Sequence, residues 1–213
     1  MSRQGHFVTF EGGEGAGKST QVARLVEHLR ALGFEALATR EPGGTPNAEA
    51  LRKVLLEGLE DKLSPASEAM IFSAARVDHL DKLIRPALAR GAFVVCDRFA
   101  DSTRAYQGGA LPESFIDQLE KLAVGDDVPD LTFILDLPAE EGLARADARR
   151  GNGKADRFES EAIDFHRGLR TAFLTIAEKN PQRCVVIDAS HSVDEIAQDI
   201  WSYVETRFIG VQS

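Results

Sequence analysis

Residues Gly12 to Ser19 read G-G-E-G-A-G-K-S, glycines leading into a lysine and a hydroxyl, a spacing that suits the cradling of phosphates. Glycines let successive backbone N–H groups turn inward around phosphate oxygens. A helix N-terminus behind them adds partial positive charge. Lys18 brings a mobile point charge, and Ser19 brings the hydroxyl expected to ligate Mg²⁺. Gly12, Gly13, Glu14, Gly15, Ala16, Gly17, Lys18, Ser19 and Thr20 are therefore candidates to hold a nucleoside triphosphate.

A second set of charged groups follows the apolar runs. Asp97 ends one such run and is followed by Arg98. A motor ATPase would usually place a glutamate there, and a GTPase switch would carry N-K-x-D, which does not occur. A cation suits a second anion better than it suits hydrolysis. Asp97 could hold Mg²⁺ through water, although an Asp-Arg pair at a strand end can also be a structural ion pair. Arg40, in the turn Thr39-Arg-Glu-Pro-Gly-Gly-Thr45, could join Arg98 on a monophosphate through the guanidinium fork. Phe72 and Arg76 share a helix face at i,i+4, where a ring can stack on a nucleobase and a guanidinium can bond its carbonyl edge. Asp101 to Gly109 is a polar, glycine-terminated stretch offering hydroxyl, amide and phenol groups.

These residues need a scaffold, and the pattern alternates strand with helix as an open parallel sheet requires. Candidate strands are 6–11, 34–39, 92–97, 131–136 and 184–188, with the third and fourth apolar on both faces and so expected to be central. Candidate helices are 18–32, 47–58, 65–90, 112–124, 139–150, 160–179 and 192–208. Arg149 to Arg157 carries two glycines and four basic residues, and reads as a solvated loop or as a lid closing over phosphates.

At 213 residues the chain fits one α/β domain, 1–213, with the lid at about 149–158. The net charge of −9 argues against a broad surface for nucleic acid or anionic membrane. No apolar run approaches the length of a membrane span and the N-terminus lacks a signal-like stretch, so a cytoplasmic protein is expected. Cys96 and Cys184 read as reduced, buried thiols, and the five histidines as surface or satisfied core residues.

Taken together, the motifs resemble bacterial thymidylate kinase along nearly the whole chain. The resemblance rests on Glu11-Gly-Gly-Glu-Gly-Ala-Gly-Lys-Ser-Thr20, Thr39-Arg-Glu-Pro-Gly-Gly-Thr45, Phe72-Ser-Ala-Ala-Arg76, Asp97-Arg-Phe99, Ser102-Thr-Arg-Ala-Tyr-Gln-Gly-Gly109 and Asp156-Arg-Phe-Glu159. It implies a P-loop nucleoside monophosphate kinase fold with a five-stranded parallel sheet, helices on its faces and a short lid. It also implies ATP + dTMP → ADP + dTDP in dTTP biosynthesis, with Mg²⁺, in a homodimer. The alternatives are a kinase of another nucleoside monophosphate and a non-catalytic ATP-binding module. By the same resemblance, Glu14 lies near the acceptor's 3′-hydroxyl or its phosphate, Phe72 stacks on thymine and Arg76 bonds its carbonyl. Tyr106 sits beneath the sugar, Arg40 and Arg98 hold the 5′-phosphate, and Ser102, Thr103 or Gln107 meets the remaining base edge. The family places its catalytic arginine in the P-loop or in the lid. Gly15 occupies the P-loop position, so the lid must supply the cation: Arg149 aligns best, with Arg150 and Arg157 as rivals. Lys18, Arg98, Arg149 and Glu14 are thus the expected catalytic set.

Overall fold

Five short apolar runs become the strands β1 (His6–Gly12), β2 (Ala36–Arg40), β3 (Phe93–Asp97), β4 (Leu131–Asp136) and β5 (Cys184–Asp188). The computed structural model describes residues 5–57, 63–151 and 157–210. All strand pairs are parallel, in the order β2-β3-β1-β4-β5. The third and fourth strands, β3 and β4, are interior as their two apolar faces implied, and between them lies β1 as the middle strand. Two polar residues disguise β1. Thr9 is buried because its hydroxyl meets that of Thr132 at 2.8 Å, and Glu11 because its carboxyl is bonded throughout.

Alternation along β1 divides the core. Val8 and Phe10 face one layer with Leu25, Leu29, Phe133, Ile196 and Ile200, while Phe7 faces the other with Leu80, Ile84, Leu88, Val94 and Phe99. The first layer is covered by α1 (Lys18–Ala31) and α9 (Val193–Val204). Between them along the chain come α2 (Pro46–Glu57), α3 (Pro65–His79), α4 (Arg85–Ala89), α5 (Ala100–Gln107), α6 (Glu113–Ala123), α7 (Ala139–Arg150) and α8 (Ile163–Lys179).

The helix expected over 65–90 is interrupted. Ser64 caps α3, its Oγ accepting from the Ser67 N–H at 3.1 Å, with Pro65 in the first turn. The chain then passes through a π-helical turn, Leu80–Ile84, into α4. Pro86 has no N–H to return to the preceding turn, so a regular α-helix cannot run through it. A second difference is α5, which falls where a polar stretch was expected. It lacks an apolar stripe because its polar side chains point at the site. Of the expected lid, residues 152–156 lie outside the described residues, as does residue 58 at the end of the second expected helix. No described helix is long and apolar enough to cross a membrane.

Candidate active site

The glycine loop leaves the C-terminal end of β1 and enters α1, so the partial positive end of that helix points into the loop. Gly15 is fixed twice over: its φ is +68°, and a Cβ would lie 1.9 Å from the Gly142 carbonyl oxygen of α7. An arginine at that position would clash with backbone. Lys18 folds over the loop, donating to the Gly13 oxygen at 2.7 Å and the Gly12 oxygen at 3.1 Å. Burial first, and then the nearby Arg98, lower its ammonium to about 8, against the pull of Glu14, Asp97 and Glu11.

Ser19 Oγ donates to Asp97 Oδ2 at 2.5 Å, which brings the two expected Mg²⁺ ligands together. No cluster of three or more His, Cys, Asp or Glu residues able to cage a metal occurs among the described residues. A hydroxyl beside a carboxylate fits a hard cation that takes its other oxygens from phosphates and water.

Arg98 follows β3 with a left-handed φ of 68°, unusual for a side chain with a Cβ. That turn aims its guanidinium back at the loop, where Nη2 reaches Glu14 Oε1 at 2.6 Å and Nη1 the Gly12 oxygen at 3.2 Å. Tyr106 Oη donates to the same Glu14 oxygen at 2.8 Å. Burial alone would raise the Glu14 carboxyl, but Arg98, Lys18 and the Tyr106 hydroxyl outweigh it and bring it down to about 2. Burial likewise opposes the charge on Arg98, yet Tyr106 and the carboxylates of Glu14, Asp97 and Glu11 hold its pKa above the usual arginine range. Burial pushes the Tyr106 phenol well above its ordinary value, so it acts as a donor at neutral pH.

One cleft opens beside this cluster, bordered by the glycine loop, the turn after β2, α3 and α5. Phe72, Phe158 and Tyr106 form an aromatic wall, with Phe158 at 6.2 Å from Phe72 and 5.2 Å from Tyr106 between ring centroids. Arg76 is 3% exposed and lies in the same wall.

Residues 10–200 match the family model described as thymidylate kinase. A thymidylate kinase of Rhodopseudomonas palustris is 55% identical over 211 residues, covering 98% of this chain and 92% of that one. One from Caulobacter vibrioides is 55% identical over 206 residues, covering 96% and 98%. The crystal structure of thymidylate kinase from Ehrlichia chaffeensis superposes with a TM-score of 0.75 at 35% identity, over 94% of this chain and 98% of that one.

The chain belongs to the thymidylate kinase family.

Within this thymidylate kinase fold, most of the expected residues meet in the cleft. Glu14, Gly15, Gly17, Lys18, Ser19, Thr20, Asp97 and Arg98 border it on one side, and Arg40, Phe72, Arg76, Ser102, Thr103, Tyr106 and Gln107 on the other. Gly12, Gly13 and Ala16 do not line it; Ala16 is packed in the core, and the first two carbonyls are occupied by Lys18. Arg40 is half exposed, bonds Glu49 at 3.2 Å and borders the same cleft as Arg98. The lid candidates separate clearly. Arg149 lines the cleft, is 65% exposed and lies 3.7 Å from Glu159. Arg150 pairs with Asp147 and Arg157 with Glu68, its guanidinium stacked 4.5 Å from the Phe158 ring centroid; neither lines the cleft.

Three groups behind the wall had no role in the sequence reading. Glu11 accepts from the Phe99 N–H at 2.8 Å, the Ser102 N–H at 3.2 Å and the Ser102 hydroxyl at 2.6 Å, tying β1 to the start of α5. Burial, then Asp101, raise its carboxyl to about 8 against those donors and Arg98. Arg183 holds Asp101 with two bonds, at 2.7 and 2.8 Å. Glu41 and His79 back Arg76. A polar residue within a core strand was the available signal for Glu11; Glu41, Asp101 and Arg183 sit in segments where charge is ordinary.

Proposed function

We propose that the chain transfers the γ-phosphoryl of ATP to dTMP by direct in-line displacement, with no covalent enzyme intermediate. The observation that carries this is the convergence of two anion sites in one cleft. The glycine loop with Lys18 holds the donor; Arg98 and Arg40 hold the acceptor phosphate. The acceptor phosphate oxygen is already anionic near neutral pH, so no side-chain nucleophile is needed. Catalysis then consists of holding two anions together and neutralising the transferred group. Ser19 and Asp97 would hold Mg²⁺, which when bound neutralises donor phosphate charge. Arg149 is the lid cation of this reading, because it is the one of the three candidates that borders the cleft, and its side chain is largely exposed.

The base pocket has matching polarity. Ser102 Oγ is committed to Glu11 and Thr103 Oγ1 to Arg76, whereas the buried Gln107 Oε1 has no partner among the described residues. Gln107 is therefore assigned to the thymine N3–H, Arg76 to a base carbonyl and Phe72 to the ring face. Glu14 and Tyr106 flank the sugar. A homodimer through the α2 and α3 face fits the exposed Met70 and Val77 on α3. Light scattering would read that assembly directly. A cytoplasmic location is part of the same reading.

The test is ADP release by purified protein with ATP and Mg²⁺ across a panel of monophosphates. Fastest turnover with dTMP is expected. ATP binding with no acceptor-dependent ADP, or faster turnover of an unrelated acceptor, refutes the assignment.

A further inference from the structure

Behind Arg76 a buried polar chain leads from the cleft lining, through Glu41, to His79 and Thr39. Arg76 Nε donates to Glu41 Oε2 at 2.7 Å, and Nη2 donates to the Phe99 oxygen at 3.0 Å and Thr103 Oγ1 at 3.1 Å. Nη1 is left as the nitrogen without a partner among the described residues. The other Glu41 oxygen, Oε1, meets His79 Nδ1 at 3.0 Å, and His79 Nε2 meets Thr39 Oγ1 at 2.7 Å. His79 is fully buried and, like Thr39, does not line the cleft. A carboxylate only accepts, so Nδ1 carries the proton in this bond. The ring is also boxed in by backbone: a Cβ on Gly44, whose φ is +85°, would lie 2.5 Å from Nε2.

The geometry has a specific consequence. A carboxylate facing an arginine prefers the two-pronged fork, one oxygen on Nε and one on an Nη. Here His79 occupies Oε1, so Glu41 meets Arg76 through one oxygen. Nη2 stays on Phe99 and Thr103, and Nη1 keeps its fixed direction. We infer that His79 is a positioning residue for base selection: through Glu41 it fixes the Arg76 guanidinium so that a donor, and only a donor, meets the acceptor base edge. This rests on the proposed assignment of Arg76 to the base. Thymine offers a carbonyl where cytosine offers an amino group, and an amino group facing Nη1 sets donor against donor. Selectivity is thus set one layer beneath the surface that touches the nucleotide. Without His79, Oε1 is buried and unpaired, and the carboxylate swings toward the fork, drawing Nη2 off its carbonyl.

The experiment compares His79→Phe, which keeps a ring and removes both nitrogens, with His79→Gln, whose amide can still donate to Glu41. For His79→Phe, the KM for dTMP should rise about tenfold and the preference for dTMP over dCMP fall about tenfold, with kcat and the KM for ATP within about twofold of wild type. His79→Gln should recover most of the difference. Wild-type dTMP KM and selectivity in His79→Phe overturn the inference, as does a fall in kcat with both KM values unchanged, which marks a merely structural role. If His79→Phe does not fold, the nearly isosteric Glu41→Gln reads the same quantities with the same expected direction, and unchanged values there overturn the inference equally. A wild-type enzyme that ignores dTMP refutes the proposed function as a whole. Active wild type with unaltered variants removes the relay alone.

Discussion

Tyr106 should act as a steric gate against ribonucleotides, and its surroundings give the expected size of the effect. The ring is clamped edge-on by Phe158, Phe165 and Phe173, with centroids at 5.2, 6.0 and 6.5 Å, and Arg98 Cζ lies 5.3 Å from its centroid. Its hydroxyl is anchored on Glu14 at 2.8 Å. Such a ring cannot retreat from an extra sugar oxygen without moving packed neighbours, and forcing an atom into a packed site costs about 1–3 kcal/mol. Wild type should therefore prefer dTMP over its ribo counterpart by roughly 5- to 150-fold in kcat/KM. Tyr106→Phe keeps the ring and so keeps that preference. It loses one hydrogen bond to a carboxylate, worth about 1.5–3 kcal/mol of stability, measurable by urea denaturation. Tyr106→Ala opens the space, and the preference should shrink to about threefold or less while stability falls by about 3–5 kcal/mol. Circular dichroism confirms that the alanine variant is folded before its kinetics are read. Undiminished discrimination in Tyr106→Ala refutes the gate; equal loss in Tyr106→Phe transfers the effect from ring volume to the hydroxyl.

Arg149→Ala should cut kcat by roughly 10³-fold or more, while Arg150→Ala and Arg157→Ala lose far less; single-turnover kinetics on all three decide the lid assignment, and a mild loss at Arg149 removes it. Lys18→Ala should fall by orders of magnitude in the same assay. With its folded carboxyl near 2 against an ordinary 4.5, Glu14 favours folding above pH 4.5 by up to about 3 kcal/mol, and that contribution disappears as pH falls toward 2. Urea denaturation at pH 7, 4 and 3 should accordingly show the gap between wild type and Glu14→Gln narrowing with acid, and a constant gap contradicts the charge argument. The thymine methyl can contribute only about 1–3 kcal/mol, so dUMP should be a slower but real substrate, with kcat/KM lower by roughly 5- to 150-fold.

What could be read from the chain, and what could not, follows from where the information lies. The glycine loop and the paired Asp97-Arg98 were legible because their physics is local: a few consecutive residues fix both conformation and chemistry. The strands at 131–136 and 184–188 were legible to the residue because short apolar runs with polar ends leave no other register. Helix α5 was not, since Asp101 to Gln107 shows no apolar stripe; its inward face is spent on Glu11, Arg76 and the cleft, and only tertiary contacts reveal that those polar groups are partnered. The break at Leu80–Ile84 was hidden for the opposite reason, as apolar periodicity runs through it unbroken while Pro86 removes one backbone donor. The relay behind Arg76 was hardest to see, because Thr39, Glu41 and His79 belong to two segments and each alone is an ordinary residue. Their meeting depends on the turn after β2 docking against the last turn of α3, which Thr45 and Asn47 secure by bonding Asp78 at 2.5 and 2.9 Å. In this fold the residues proposed to touch phosphate announce themselves in sequence, because anion binding needs special backbone or dense charge. The residues proposed to aim Arg76 do not, because any buried donor–acceptor pair in the right place would serve. Substitutions beneath the cleft are therefore expected to retune acceptor choice while leaving the phosphate machinery intact, and the contrast between His79 and Lys18 variants measures that separation.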